Sequence, residues 1–168
     1  MAIREILTDQ DPALHKKCHV ITQFDDKLAA FLDDLKETLA AANGAGLAAP
    51  QVGILRRAVI VVDESDEMLE LVNPEIIERS GEQDGLEGCL SVPGMWGYVK
   101  RPMYVKVRAQ DRKGDWFEVE GEEMVARCFC HEIEHLDGHV FSEHVDRLYD
   151  NEEIEKILAE EEKKGKRR

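Results

Sequence analysis

The stretch His131-Glu132-Ile133-Glu134-His135 constrains this chain more than any other. Residues four apart lie on one face of a helix, so the two imidazoles can grip a single divalent ion. Glu132 sits about 100° around the axis from His131. A carboxylate in that place can lean over the ion without ligating it and take a proton from water. The flanking Phe129, Ile133 and Leu136 turn one side of this helix toward a core, which a merely solvated charged helix would lack.

Two imidazoles do not complete a reactive site, which needs a third protein donor and one open position. A glycine three residues after the second histidine, followed by a histidine six residues after it, would supply one solution. Gly138 fits the first condition, but Phe141 stands at the second place, so this solution fails. A glutamate from a later helix is a second solution, with Glu152, Glu153 and Glu155 available. A cysteine from elsewhere is the third, and Cys89 is the candidate. His139 falls after Gly138, where the helix should be ending, and reads as a surface or supporting histidine; His15, His19 and His144 read as structural. Cys128 and Cys130 diverge by about 200° on a helix and cannot share an ion.

The rest of the chain bounds the fold. Its 168 residues suit one domain, here taken as 1–168, with 151–168 forming a C-terminal helix and basic tail. The net charge of −14 argues against a specific nucleic-acid site. No apolar run approaches the roughly 20 residues of a membrane span. The N-terminus lacks the apolar core of a secretory signal, so the expected location is cytoplasmic. Four cysteines in such a chain read as free thiols or metal ligands rather than disulfides.

Asp25 to Ala42 carries Leu28, Phe31, Leu32, Leu35 and Leu39 at helical spacing, and Asn43-Gly44 ends it. Arg57 to Asp63 is a strand buried on both faces. Met68 to Val72 and Glu75 to Glu78 are expected as two short strands around Asn73-Pro74. Met103 to Gln110 and Asp115 to Glu120 form a hairpin across Asp111-Gly114. The metal-type helix begins near Glu122, and a last helix covers Asn151 to Lys164. The expected class is α+β: mixed or antiparallel sheets packed around a central His-Glu-x-x-His helix, with an N-terminal amphipathic helix and a C-terminal helix.

Two further stretches stand out. Gly44-Ala45-Gly46-Leu47-Ala48-Ala49-Pro50-Gln51 lets the backbone pass close to something and ends in an amide able to donate to a developing oxyanion. Gly85-Leu86-Glu87-Gly88-Cys89-Leu90-Ser91 places a thiol in a glycine-rich segment.

Together these segments resemble the peptide deformylase family. The first resembles its Gly-x-Gly-Leu-Ala-Ala-x-Gln loop, the second its Glu-Gly-Cys-Leu-Ser segment, and His131 to Leu136 its His-Glu-x-Asp-His-Leu helix. The opening Ile3-Arg4-Glu5-Ile6-Leu7 also looks like that family's N-terminus. Two positions depart from it. Cys130 stands where the family usually has Gln, and Glu134 where it has Asp; both flank the metal ligands.

The resemblance implies removal of the formyl group from the N-terminal formyl-methionine of nascent polypeptides, with release of formate. It implies Cys89, His131 and His135 as metal ligands, Glu132 as the proton carrier, and the Gln51 amide and Leu90 N–H as oxyanion donors. The ion expected is one per chain, Fe(2+) natively, with Zn(2+) or Ni(2+) as substitutes. Gly44, Ala45, Gly46, Met124 and Cys128 are expected to bind substrate, with Leu86 or Trp96 near the rim of the methionine pocket. The basic tail is a candidate contact to the ribosome. The competing readings are a zinc metallopeptidase with a distal glutamate ligand and a non-catalytic metal-binding module.

Overall fold

A computed structural model describes residues 2–166. Arg167 and Arg168, the end of the basic tail, lie outside the described residues. Helix α1 (Asp26–Ala42) starts where the Asp25 side chain accepts from the Leu28 N–H at 3.0 Å. It ends where Asn43 turns left-handed, with φ 54°. Its buried leucines 28, 32, 35 and 39 form one stripe.

Five strands form an antiparallel sheet in the order β1 (Gly46–Ala48), β2 (Ala58–Val62), β3 (Met68–Ser80), β6 (Tyr104–Gln110), β7 (Trp116–Glu122). In β2 the alternation separates two cores. Val59 and Val61 pack on the side of helix α2 (Glu123–His135), while Ala58 and Ile60 pack with the α1 leucines. A run apolar on both faces is what a strand between two helices requires.

The two short strands expected around Asn73-Pro74 are one long strand, β3. Proline cannot donate to the ladder, so the register with β6 shifts between Val72 and Glu75 instead of the strand ending. Asn73, at φ 50°, braces this bulge: its side chain accepts from the Ile21 N–H and donates to the Ile21 carbonyl and Gln110 Oε1.

A second, three-stranded antiparallel sheet joins β4 (Gln83–Cys89), β5 (Val92–Arg101) and β8 (Tyr149–Asp150). The β4–β5 hairpin was not expected from the sequence. Gln-Asp-Gly-Leu-Glu-Gly-Cys has two glycines and no apolar alternation, so its strand character comes from pairing rather than propensity. Trp96 lies across from Gly88 and covers the surface the glycine leaves bare. Helix α3 (Asn151–Lys166) follows β8 and buries Ile154.

The class is therefore α+β, with antiparallel sheets and three α-helices among the described residues. Helix α2 is more enclosed than an amphipathic pattern suggests: residues 125–133 and 135 are all buried. Arg127, His131, Glu132 and His135 are thus carried into the interior, where each needs a partner or a function. Among the described residues no helix is long and apolar enough to cross a membrane.

Candidate metal centre

Helix α2 presents His131 and His135 one turn apart, with ring centroids 5.1 Å from each other. The β4–β5 hairpin brings Cys89 to them. One donor atom each from Cys89, His131 and His135 lie within 4.8 Å of one another, and this is the one such cluster among the described residues. Glu152, Glu153 and Glu155 lie on α3 and take no part, so the distal-glutamate solution is not met.

The donors fit a single ion. Bonds of about 2.3 Å to sulfur and about 2.05 Å to nitrogen in a tetrahedral site place those atoms about 3.6 Å apart. Sγ of Cys89 and Nε2 of His135 are 3.5 Å apart. A thiolate with two imidazoles accepts zinc or ferrous iron.

The orientation of His131 comes from behind. Its Nδ1 is 2.8 Å from Glu87 Oε1, which leaves the other ring nitrogen for the cluster. Glu87 is itself gripped by Arg101 through two bonds of 2.9 Å and by Arg127. Burial raises the Glu87 carboxyl, but the Arg101 and His131 bonds outweigh it and hold it down at about 2. Arg101 continues to both oxygens of Glu134, at 2.8 and 3.1 Å, and Glu134 meets His144 at 2.8 Å. Glu134 therefore serves the Arg101 network, and His144 has a definite partner there. Cys130 is a buried free thiol on the far side of α2 from Cys89, and burial pushes its thiol up.

The other side of the cluster is sparse in bonds. Glu132 is buried, and its Oε1 has no hydrogen-bond partner. Burial pushes its carboxyl up to about 7, against the pull of His131 and with help from Glu87 and Glu134. The imidazoles diverge. Burial opposes charge on His131, yet Glu132, Cys89 and Glu87 raise it well above the ordinary value. Burial, then the neighbouring His131 and Arg101, lower His135 well below it, and its Nδ1 has no partner.

The small-residue stretch has a specific use. A Cβ on Gly46 would fall 2.5 Å from Glu132 Oε2, so only glycine lets β1 pass against that carboxylate. Gln51 follows on a short 3₁₀ turn, Ala49–Val52. Its carbonyl accepts from the Ala48 N–H at 2.9 Å. That turns its amide nitrogen toward Cys89 Sγ at 3.6 Å and Ser91 Oγ at 3.1 Å.

Gln51, Cys89, His131 and Glu132 line one cavity of about 440 Å³. Gly44, Ala45, Gly46, Met124 and Cys128, singled out in the sequence as substrate contacts, all border it, as do Leu90, Leu86 and Trp96. His139 is exposed and bonds to Glu143, away from the cluster. Sequence reasoning missed Ser91, Arg101 and Arg127 as supports. Arg127 carried a signal: a cation one turn before His131 on a helix facing the core needs a buried anion, and Glu87 is that anion.

A thiolate–imidazole cluster with an unpaired carboxylate and an amide donor around one cavity defines a mononuclear metal site of the hydrolytic class. The model of the polypeptide deformylase family matches residues 3–151, and the chain belongs to that family. The peptide deformylase of Caldicellulosiruptor bescii is 53% identical over 155 residues, covering 92% of this chain and 93% of that protein. The peptide deformylase of Acetivibrio thermocellus is 50% identical over 156 residues, covering 93% and 91%. The crystal structure of a peptide deformylase from Legionella pneumophila superposes with a TM-score of 0.82 at 40% identity, covering 86% of each chain. That from Thermotoga maritima gives 0.83 at 34%, covering 86% of this chain and 99% of its own.

Proposed function

We infer that this protein is a metal-dependent amide hydrolase that removes the N-formyl group from N-formyl-methionyl peptides and releases formate. The observation that carries this reading is the meeting of Cys89, His131 and His135 beside a cavity that Cys89, His131, Glu132 and Gln51 border.

Cys89, His131 and His135 are the residues that would hold the ion. When bound, a divalent ion supplies Lewis acidity, which acidifies water and polarises a carbonyl. Glu132 takes the proton from the attacking water and later passes it to the departing methionine nitrogen. Its burial favours both directions of that transfer, because a carboxyl raised toward neutrality can release the proton it has gained. As charge builds on the formyl oxygen, the Gln51 amide and the Leu90 N–H donate to it; one such donor contributes about 3 kcal/mol. Gln51 is suited to this because its carbonyl is already tied to Ala48, which fixes the amide direction in advance. Gly44, Ala45 and Gly46 present bare backbone to the peptide, and Met124 and Cys128 give an apolar surface to the methionine side chain.

Residues 1–168 act in this reading as one unit, working in the cytoplasm where formylated chains are made. Ferrous iron is the proposed native ion, on the softness of the thiolate and the family resemblance. Contact between the ribosome and the basic end, Lys163 to Arg168, is supported by its charge and by where nascent chains emerge. The deciding experiment is formate release from formyl-Met-Ala-Ser by protein of measured metal content. Turnover proportional to bound metal is expected; metal-loaded protein that releases no formate would overturn the assignment.

A further inference from the structure

Trp96 is the large aromatic side chain at the mouth of the cavity, and it is fixed from three directions. On one side its ring lies against bare backbone: a Cβ on Gly88 would fall 2.5 Å from the indole Cζ3. On the second, β8 pairs with its strand, Trp96 opposite Tyr149 and Met95 opposite Asp150. On the third, its indole N–H donates to Asn151 Oδ1 at 2.7 Å. Asn151 is the first residue of α3, and α3 is anchored by the buried Ile154. The family match ends at residue 151, so it assigns nothing to the helix that follows.

A side chain held this way is a surface prepared before anything binds. Trp96 keeps 36% of its surface exposed despite these restraints, and Met124, also bordering the cavity, keeps 62%. Exposed apolar side chains at the rim of a cavity are candidate contacts for what extends out of it. If the formyl-methionine occupies the inner end, as the proposed function has it, the next residue of the peptide leaves past this rim. A rigid indole offers large contact area at little entropic cost.

We propose that Trp96 is a specificity-determining shelf for the peptide residue after the formyl-methionine, favouring apolar and aromatic side chains there. Asn151, at the head of the C-terminal helix, is the positioning residue that holds the shelf in place. The inference rests on the deformylase reading but adds a role for the β8–α3 junction.

The test compares kcat/KM for formyl-Met-Phe-Ser and formyl-Met-Gly-Ser on the metal-loaded protein. The unaltered protein should prefer the Phe peptide by about fivefold, through KM, the size of an aromatic pair contact. Trp96→Ala should bring the ratio to about one. The bond to Asn151 is solvent-exposed, so Asn151→Ala should lower the ratio only to about twofold. Asn151→Asp, whose carboxylate still accepts the indole N–H, should keep it. A ratio near one in the unaltered protein overturns the proposal. So does an Asn151→Ala protein in which both peptides lose equally, since that is general structural damage. Should neither peptide release formate, the deformylase reading fails, and binding still decides the shelf. With Trp116→Phe, Trp96 is the one tryptophan left. Its fluorescence should then respond to Met-Phe-Ser at lower concentration than to Met-Gly-Ser, and equal responses would overturn the proposal.

Discussion

The two sides of helix α2 obey opposite rules. Behind His131, the polar atoms are mostly paired, Arg127 Nη2 being the exception. Glu87, Arg101, Arg127 and Glu134 form a largely buried chain of charge-assisted bonds that ends at the exposed His144. Facing the cavity, Glu132 Oε1 is buried without a partner among the described residues, and the thiol of Cys89 stands among the Gln51 amide and the two histidines. A buried unpaired carboxylate destabilises a fold. It is tolerated here beside a mostly paired network, which fixes the helix that carries it. Reactive groups stay uncommitted because their neighbours are committed.

The largest test of this contrast is Cys89→Ala. Metal content by elemental analysis should drop from about one ion per chain to near zero, while Glu155→Ala keeps it. With the metal chelated, Cys89→Ala should leave the unfolding midpoint nearly unchanged, since a half-buried thiol there supports little packing; a collapsed fold would erase the distinction between the two sides. Next comes Glu132→Gln. It should retain the metal and lower kcat by about a thousandfold, within the range for a proton carrier. Near-normal turnover would move that role elsewhere.

Glu87→Gln strikes the paired side. It leaves Arg101 with Glu134 as its one carboxylate and Arg127 with no buried anion, so the fold should lose about 3–5 kcal/mol in denaturant titration. Metal affinity should also weaken about 10- to 100-fold through the loosened His131. If affinity falls with stability intact, the network tunes the ion but does not hold the fold.

The smallest effect belongs to a third, half-exposed cluster remote from the cavity. There Glu70 bonds Arg112 and Lys36, joining α1 to the five-stranded sheet. Burial raises the Glu70 carboxyl, but those bonds outweigh it and hold it below its ordinary 4.5. The folded state therefore binds the proton later than the unfolded chain as pH falls. Its contribution is full above 4.5 and is lost as pH drops through the folded value. Glu70→Gln should cost about 1 kcal/mol or less near neutral pH, and its deficit should shrink below pH 4.5. A deficit that does not change with pH would mean packing, not charge, ties the cluster together.

How legible each part was follows from how local its cause is. The stripe of α1, the two-sided burial of β2 and the β6–β7 hairpin are consequences of period and turn chemistry within a few residues. The β3 bulge reads in the sequence as a break because Asn73-Pro74 is an ordinary stop signal. Pairing with β6 on both sides of it, and the reach of Asn73 to Ile21 and Gln110, carry the strand across. The glycines at 44 and 46 announced a close approach without saying to what. The neighbours are Leu90 and Glu132, both distant in the chain.

For the site, helical spacing alone put His131 and His135 on one face and Glu132 beside them, because 3.6 residues per turn is a property of the backbone. Local pattern leaves the third donor open between Cys89 and three glutamates, and the family resemblance favours Cys89. What only the tertiary structure decided was the approach of Cys89 to His135, 46 residues away. That meeting depends on a hairpin whose strands are stabilised by pairing and by Trp96 on Gly88, and such long-range contacts have no signature in neighbouring residues.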